Sequence, residues 1–374
     1  MTPPPYIPCV PEVRRSSAAG GRPAAVRETA GAAASPRDRA YELIAGFRFA
    51  QLVRAAVELR IPDLLEAGPA SVEQLADAAG VEVGRLRRAL RTLASMGVLE
   101  EDEQGRFTNT ELGNLFSEST PHSVRPMMLM VLDGYRAWEH FLETLRTGRT
   151  GQSIEYGEAH WETLARNPEE AARFNAAMVA QTEQAIDFVA ANLDLEQNSL
   201  IVDVGGGNGA LAAGLLGARP DLRGIVCDLA PGLAGTAEYL ARRDVADRCR
   251  VVEADFFDSL PADGNAYLLK QVLHDWDDEH AARILATCRR SMRAGARIVI
   301  IERLLPGRMV HDPKHLGLAM LDLEMMVRLG GMERTLQEYV ELLETAGFHF
   351  LRAVPGERFA LVEAQLALDA GARR

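Results

Sequence analysis

Apolar residues in the first third of the chain recur at helical spacing and then, briefly, at every second position. In SVEQLADAAGVEVGRLRRALRTLASMGVLEEDEQGRFTNTELG a helix opens at a Ser71 cap and turns at Gly80. A second helix follows, with Leu86, Leu90 and Leu93 on one face, and Gly97 ends it. VLEEDEQGRFTNT then reads as a hairpin around Gln104 and Gly105. Two helices and a hairpin make a winged-helix arrangement. Just upstream, YELIAGFRFAQLVRAAVELRI is too apolar for a solvated arm, which predicts helices buried in a homodimer. Residues 120–192 read as a helical bundle, with Trp138, Phe141, Trp161, Phe174 and Met178 among its apolar positions. Such positions build a core, and they also suit a flat apolar ligand.

After Ser199 the pattern changes. The short apolar runs LIVDV, GIVCDL, RVVEAD, YLLKQVL and RIVIIE alternate with helical segments, which predicts βαβ units and a parallel sheet. Each run ends at a polar or glycine-rich cluster. These are Asp203 with Gly205, Gly207 and Gly209, then Asp228, Asp255, His274 with Asp275, and Glu302. Open parallel sheets bind ligands outside the carboxyl ends of their strands. His274 therefore stands where a site belongs.

Composition narrows the function classes. With 374 residues, 47% hydrophobic and 25% charged, the chain is an ordinary globular one of two or three domains. A net charge of −12 disfavours a dedicated nucleic-acid binder. Arg85, Arg88 and Arg91, opposite the leucines, then read as a solvated basic face rather than a recognition helix. Cys9, Cys227, Cys249 and Cys288 show no metal spacing, and three lie in apolar stretches, as reduced thiols of a cytoplasmic protein do. No apolar run is long enough to span a bilayer, so no membrane is implied. In HDPKH, Pro313 between His311 and His315 spoils a helical metal pair, and no metal is expected. The first 36 residues, rich in Pro, Ala and Gly, read as a disordered leader.

VDVGGGNGA is not the GxGxxG run of dinucleotide enzymes. Its glycines let the backbone approach a ligand, and Asp228, about 20 residues further on, is placed to hold ribose hydroxyls. With Asp203 before the loop and Asp255 after the third strand, S-adenosylmethionine is preferred over a dinucleotide.

At this point the motifs become specific. VDVGGGNGA, the Asp228-Leu229 pair, ADFF, LLKQVLHDWDDE, IIERLLP and GGMERT resemble the motif series of the caffeate-type small-molecule O-methyltransferases of plants and antibiotic-producing bacteria. The resemblance covers roughly residues 37–365, with Ala254 where the family usually has glycine. It implies a Rossmann-like class I α/β catalytic domain, residues 193–374, behind a winged-helix-like dimerisation domain, residues 37–120, and a helical substrate-lining region, residues 121–192. It also implies metal-free methyl transfer to a hydroxyl of an aromatic small molecule. His274, neutral at neutral pH, would act as base between Glu302 and Glu333, with Asp275 supporting its loop. Thr335 and Glu338, at capping-box spacing, would hold Glu333 just ahead of a helix that Gly347 ends. By the same resemblance Asp228 and Leu229 meet ribose and adenine, Asp255 and Phe256 meet adenine, and Lys270 meets the cofactor edge. Trp138, Phe174, Met178, Asp322 and Met325 line the acceptor pocket. The high alanine and arginine content points to a bacterial natural-product pathway. Two rival readings remain at this stage: the same fold turned to hydroxylation or decarboxylation, and a ligand-sensing winged-helix DNA-binding regulator.

Overall fold

The computed structural model describes residues 35–121 and 123–366, so nearly all of the expected leader lies outside the described residues. The chain divides into two compact units at Phe49/Ala50, and the helix Pro36–Glu58 spans the division. Tyr41, Leu43, Ile44, Phe47 and Phe49 on its first half are all exposed.

Within the second unit the amino-terminal elements follow the sequence signals closely. The helix Val72–Ala79 opens with a complete capping box, in which Ser71 and Gln74 exchange side-chain and backbone bonds, and closes on Gly80 at φ +69°. The next helix, Val83–Ser95, buries Leu86, Leu90 and Leu93 in one cluster, about 1.5–3 kcal/mol for each side chain. Strands Leu99–Glu101 and Arg106–Asn109 pair around Gly105, and Ala70–Ser71 adds a third strand to this wing. Helices from Arg125 to Asn192 follow, the last of them Pro168–Asn192.

The main sheet has seven strands: β1 Leu200–Val204, β2 Arg223–Asp228, β3 Cys249–Glu253, β4 Ala266–Lys270, β5 Arg297–Glu302, β6 Phe348–Pro355 and β7 Ala360–Leu366. Their order is β6-β7-β5-β4-β1-β2-β3, with β1 to β5 parallel and β7 antiparallel to both its neighbours. Central strands covered on both faces read as unbroken apolar runs, which is why β1, β2, β4 and β5 were legible in the sequence. The chain builds β1 to β3 outward on one side, then crosses to β4 and β5 on the other. The switch point therefore falls between β1 and β4, and their carboxyl ends open onto one crevice.

Candidate active site

Three chain segments deliver the acid–base groups. β4 ends at Lys270, and Gln271 takes φ +52°, a conformation that costs a non-glycine residue roughly 1–3 kcal/mol. This bend turns the chain into a short 3₁₀ turn, Leu273–Asp275, that carries His274. β5 ends in Glu302, and Glu333 follows the helix Pro313–Arg328. His274 Nδ1 lies 2.7 Å from Glu333 Oε1 and 3.6 Å from Glu302 Oε2, while Nε2 lies 3.3 Å from Asp275 Oδ1. Glu302 Oε1 accepts the Val272 backbone N–H at 3.1 Å, and Asp322 accepts that of Glu333 at 2.9 Å. His274, Glu302 and Glu333 are buried; the Glu302 carboxylate is held by the Val272 N–H and that of Glu333 by the imidazole.

The electrostatics differ from the expectation of a neutral imidazole. Burial is the largest single influence on His274 and opposes its charge. Glu302, Glu333 and Asp275 together outweigh it and raise the imidazole pKa to about 10. Burial likewise pushes Asp275 up to about 6 and Glu302 up to about 7, while the histidine pulls both back down. The cluster thus holds a proton on the ring at neutral pH, and the groups titrate together. The ligand atoms of His274, Glu302 and Glu333 also lie within 4.8 Å of one another.

The segment after the helix Pro313–Arg328 meets the histidine turn backbone to backbone. Met332 N–H donates to His274 O at 2.9 Å. A Cβ on Gly331 would lie 2.1 Å from that oxygen and 2.3 Å from the Asp275 carbonyl carbon, so only glycine fits. Thr335 and Glu338 form the expected capping box, and Gly347 takes φ +84° at the other end of that helix.

On the other side of the crevice the glycine loop follows β1. Gly205 and Gly207 take φ +64° and +53°, and a side chain on Gly207 would meet only open space. Asp228 accepts the Gly207 N–H at 2.9 Å and its neighbour Leu229's at 2.7 Å, so the carboxylate is aimed before any ligand arrives. Burial raises its pKa, and the Gly207 N–H opposes the rise. Leu229 and Asp255 are exposed, and Phe256 is half-buried in edge contact with Phe257 and Trp276. An ionic acceptor, an aliphatic chain and an aromatic ring around an open loop fit a nucleoside with two hydroxyls. Asp203 lies deeper, 1% exposed, and accepts the Ala212 N–H in the first turn of the helix Ala210–Ala218 that follows the loop. Lys270 donates to Gln271, and burial drops its pKa to about 8.

The expected acceptor residues are placed unevenly. Trp138 stacks on Phe141 and donates its indole N–H to Glu324 at 2.5 Å. Phe174 meets His160 and Trp161 edge-on, and Met178 is half-buried on the same helix. Met325 is buried, and Asp322 is engaged with Glu333. Sequence reasoning missed Glu324, His160 and Arg328. The Arg328 guanidinium is buried 3.0 Å from His160 Nδ1, and burial, with Arg328 second, lowers that imidazole to about 3, a neutral acceptor. Partners 168 and 186 residues apart leave no local signal.

This strand order, with an adenosine-type loop beside a buried acid–base cluster, is that of a class I methyltransferase. The chain belongs to the O-methyltransferase family. Residues 138–349 match the O-methyltransferase domain and residues 41–119 match the O-methyltransferase dimerisation domain. It is 37% identical to a phenazine O-methyltransferase of Lysobacter antibioticus, over 87% of this chain and 94% of that one. With a mitomycin biosynthesis 6-O-methyltransferase of Streptomyces lavendulae it shares 32% identity, over 87% and 92%. Among solved structures, an O-methyltransferase from neocarzinostatin biosynthesis, crystallised with S-adenosylmethionine and 2-hydroxy-5-methyl naphthoic acid, superposes with a TM-score of 0.76 at 32% identity, covering 85% of this chain and 96% of that one. The protein is an enzyme, and its cofactor is S-adenosylmethionine. The regulator reading falls with that.

Proposed function

We propose that the enzyme methylates a hydroxyl group on an aromatic small molecule of bacterial natural-product biosynthesis, as a cytoplasmic homodimer, with His274 as the base. The observation that carries this reading is the buried 2.7 Å contact between His274 Nδ1 and Glu333, which leaves Nε2 as the proton-accepting atom. A phenol has a pKa of about 10 and is mostly protonated at neutral pH, so a positioned base adds roughly 10²- to 10⁴-fold. Bound S-adenosylmethionine supplies an electrophilic methyl group and a positive charge. The cofactor's positive charge, held by the residues named below, would oppose the pull of the three carboxylates on the His274 ring. Glu333 and Glu302 hold the ring in orientation and balance the imidazolium once the acceptor's proton has moved to Nε2. Asp228 takes the ribose hydroxyls, Leu229, Asp255 and Phe256 the adenine, with Lys270 at the cofactor edge. Trp138, Phe174, Met178, Asp322 and Met325 border the acceptor. Residues 37–120 serve dimerisation, 121–192 line the substrate, and 193–374 carry the chemistry. No helix among the described residues is long and apolar enough to cross a membrane.

The test is incubation with S-adenosylmethionine and paired hydroxy- and amino-aromatics, following S-adenosylhomocysteine release and locating the new methyl group by mass spectrometry. Methyl ethers are expected. Selective methylation of the amino partners would replace the hydroxyl assignment, an outcome made concrete by a relative at 33% identity that is an 8-amino-8-demethylriboflavin N,N-dimethyltransferase. A changed acceptor without S-adenosylhomocysteine would mean non-methylating chemistry.

A further inference from the structure

We propose that Arg334 is a positioning residue of the transfer reaction, its guanidinium fixing the direction in which His274 Nε2 points; the inference rests on His274 being the base. Arg334 is 1% exposed and among the largest fully buried side chains described. Its Nη1 donates to Leu273 O at 2.8 Å, and its Nη2 donates to Trp276 O at 2.9 Å. These two carbonyls bracket His274 and Asp275. Nε and Nη2 also reach Asp278 Oδ1 at 3.0 and 2.8 Å, in the first turn of the helix Asp278–Ser291. The guanidinium lies over the Tyr339 ring, 5.9 Å from its centroid, which closes it off from below.

A buried guanidinium is costly unless its donors are satisfied, and here the histidine turn itself satisfies them. Lysine's three N–H donors radiate from one nitrogen without the planar fork, so they cannot span the two carbonyls and the carboxylate that Nε, Nη1 and Nη2 reach. The Met332 N–H holds the carbonyl of His274. Glu333 therefore sits between two residues that both grip the turn, and its contact with Nδ1 is set from both sides. Histidine and carboxylate move as one body. An error of about 1 Å in such a placement costs on the order of 10²-fold in rate.

Arg334→Lys, Arg334→Ala and Asp278→Asn are compared with wild type for kcat, acceptor KM, S-adenosylhomocysteine affinity and the pH–rate profile. Any acceptor that wild type turns over serves, so failure of the hydroxyl assignment is read on wild type and failure of this proposal on the variants. In Arg334→Lys we expect kcat to fall roughly 10- to 100-fold. Cofactor affinity is expected to stay within about twofold. The rising limb should move to lower pH, because a loosened ring loses part of its carboxylate support. Added guanidinium ion should restore part of the kcat of Arg334→Ala and leave wild type unchanged. Asp278 is largely exposed, so Asp278→Asn loosens the same brace without emptying the core and should lower kcat by a smaller factor. Wild-type kcat in Arg334→Lys overturns the proposal. So does a matched loss of kcat and cofactor affinity in both Arg334→Lys and Asp278→Asn, the mark of a damaged fold.

Discussion

A methyl group on Gly331 would stand 2.1 Å from the carbonyl oxygen of His274. Backbone meets backbone at the reacting centre, and no rotamer change relieves the clash. Gly331→Ala should therefore push the histidine turn away from Glu333 and lower kcat by on the order of 10²-fold. It should also destabilise the fold by about 1–3 kcal/mol, as overpacking does. Steady-state kinetics and urea unfolding measure the two; wild-type kcat in a stably folded variant would show that the approach does not matter.

His274→Ala should reduce kcat by roughly 10²-fold or more and leave S-adenosylhomocysteine affinity nearly unchanged. The glycine loop, Asp228 and Asp255 stand at the ends of β1, β2 and β3, whereas the histidine follows β4, so the effects separate. An acceptor already ionised at neutral pH should regain part of the lost rate. Full activity on a neutral phenol would make the histidine structural.

The pH profile carries a sign. Carboxylates raise the His274 pKa against burial, to about 10, so activity should rise with pH through an apparent pKa above that of a free imidazole. Glu302→Gln keeps an oxygen for the Val272 N–H and removes a negative charge. The imidazolium loses support, its pKa falls, and the limb should shift to lower pH. A shift to higher pH, or none, in kcat measured from pH 6 to 10 would contradict the electrostatic account.

Asp228→Ala should act on the cofactor alone. Hydrogen bonds to a charged group contribute about 1.5–3 kcal/mol each, so cofactor affinity should drop on the order of 10- to 100-fold, with kcat at saturation altered far less. Calorimetric titration with S-adenosylhomocysteine reads this directly.

Ile44 and Phe47 are exposed on the first half of the helix Pro36–Glu58, in a stretch matched to a dimerisation domain. A charge there is incompatible with a buried apolar interface. Ile44→Glu with Phe47→Glu should turn a dimer into monomers in sedimentation at micromolar concentration; a monomeric wild type would remove the homodimer proposal.

Much of this architecture was legible from period and punctuation. The Ser71 cap, the capping box at Thr335 and the five parallel runs matched their elements because local signal and tertiary burial agreed. The antiparallel β6 and β7 were not read. Three of the eight residues of β6 are exposed and its register slips between Phe350 and Arg352, while β7 hides a buried Glu363 whose charge is met by Arg352 and Arg297. A carboxylate inside a strand reads as a break unless its partners are known. The motif around Glu333 was visible, but its neighbours Gly331 and Arg334 show their meaning only when the turn they hold is in place. The charge of His274 was missed for a related reason, since Glu302 and Glu333 reach it from separated segments and add to its neighbour Asp275.

The helix Pro313–Arg328 ends three residues before the segment that grips the histidine turn, and it carries Glu324 and Arg328 on the way. If the acceptor sits against Trp138 as proposed, recognition and reaction are written in adjacent but separable stretches. A laboratory library that randomises Trp138, Glu324 and Arg328 while freezing residues 331–335 should yield catalysts with altered acceptor choice at undiminished intrinsic rate. One that randomises the frozen block should yield mostly inert protein.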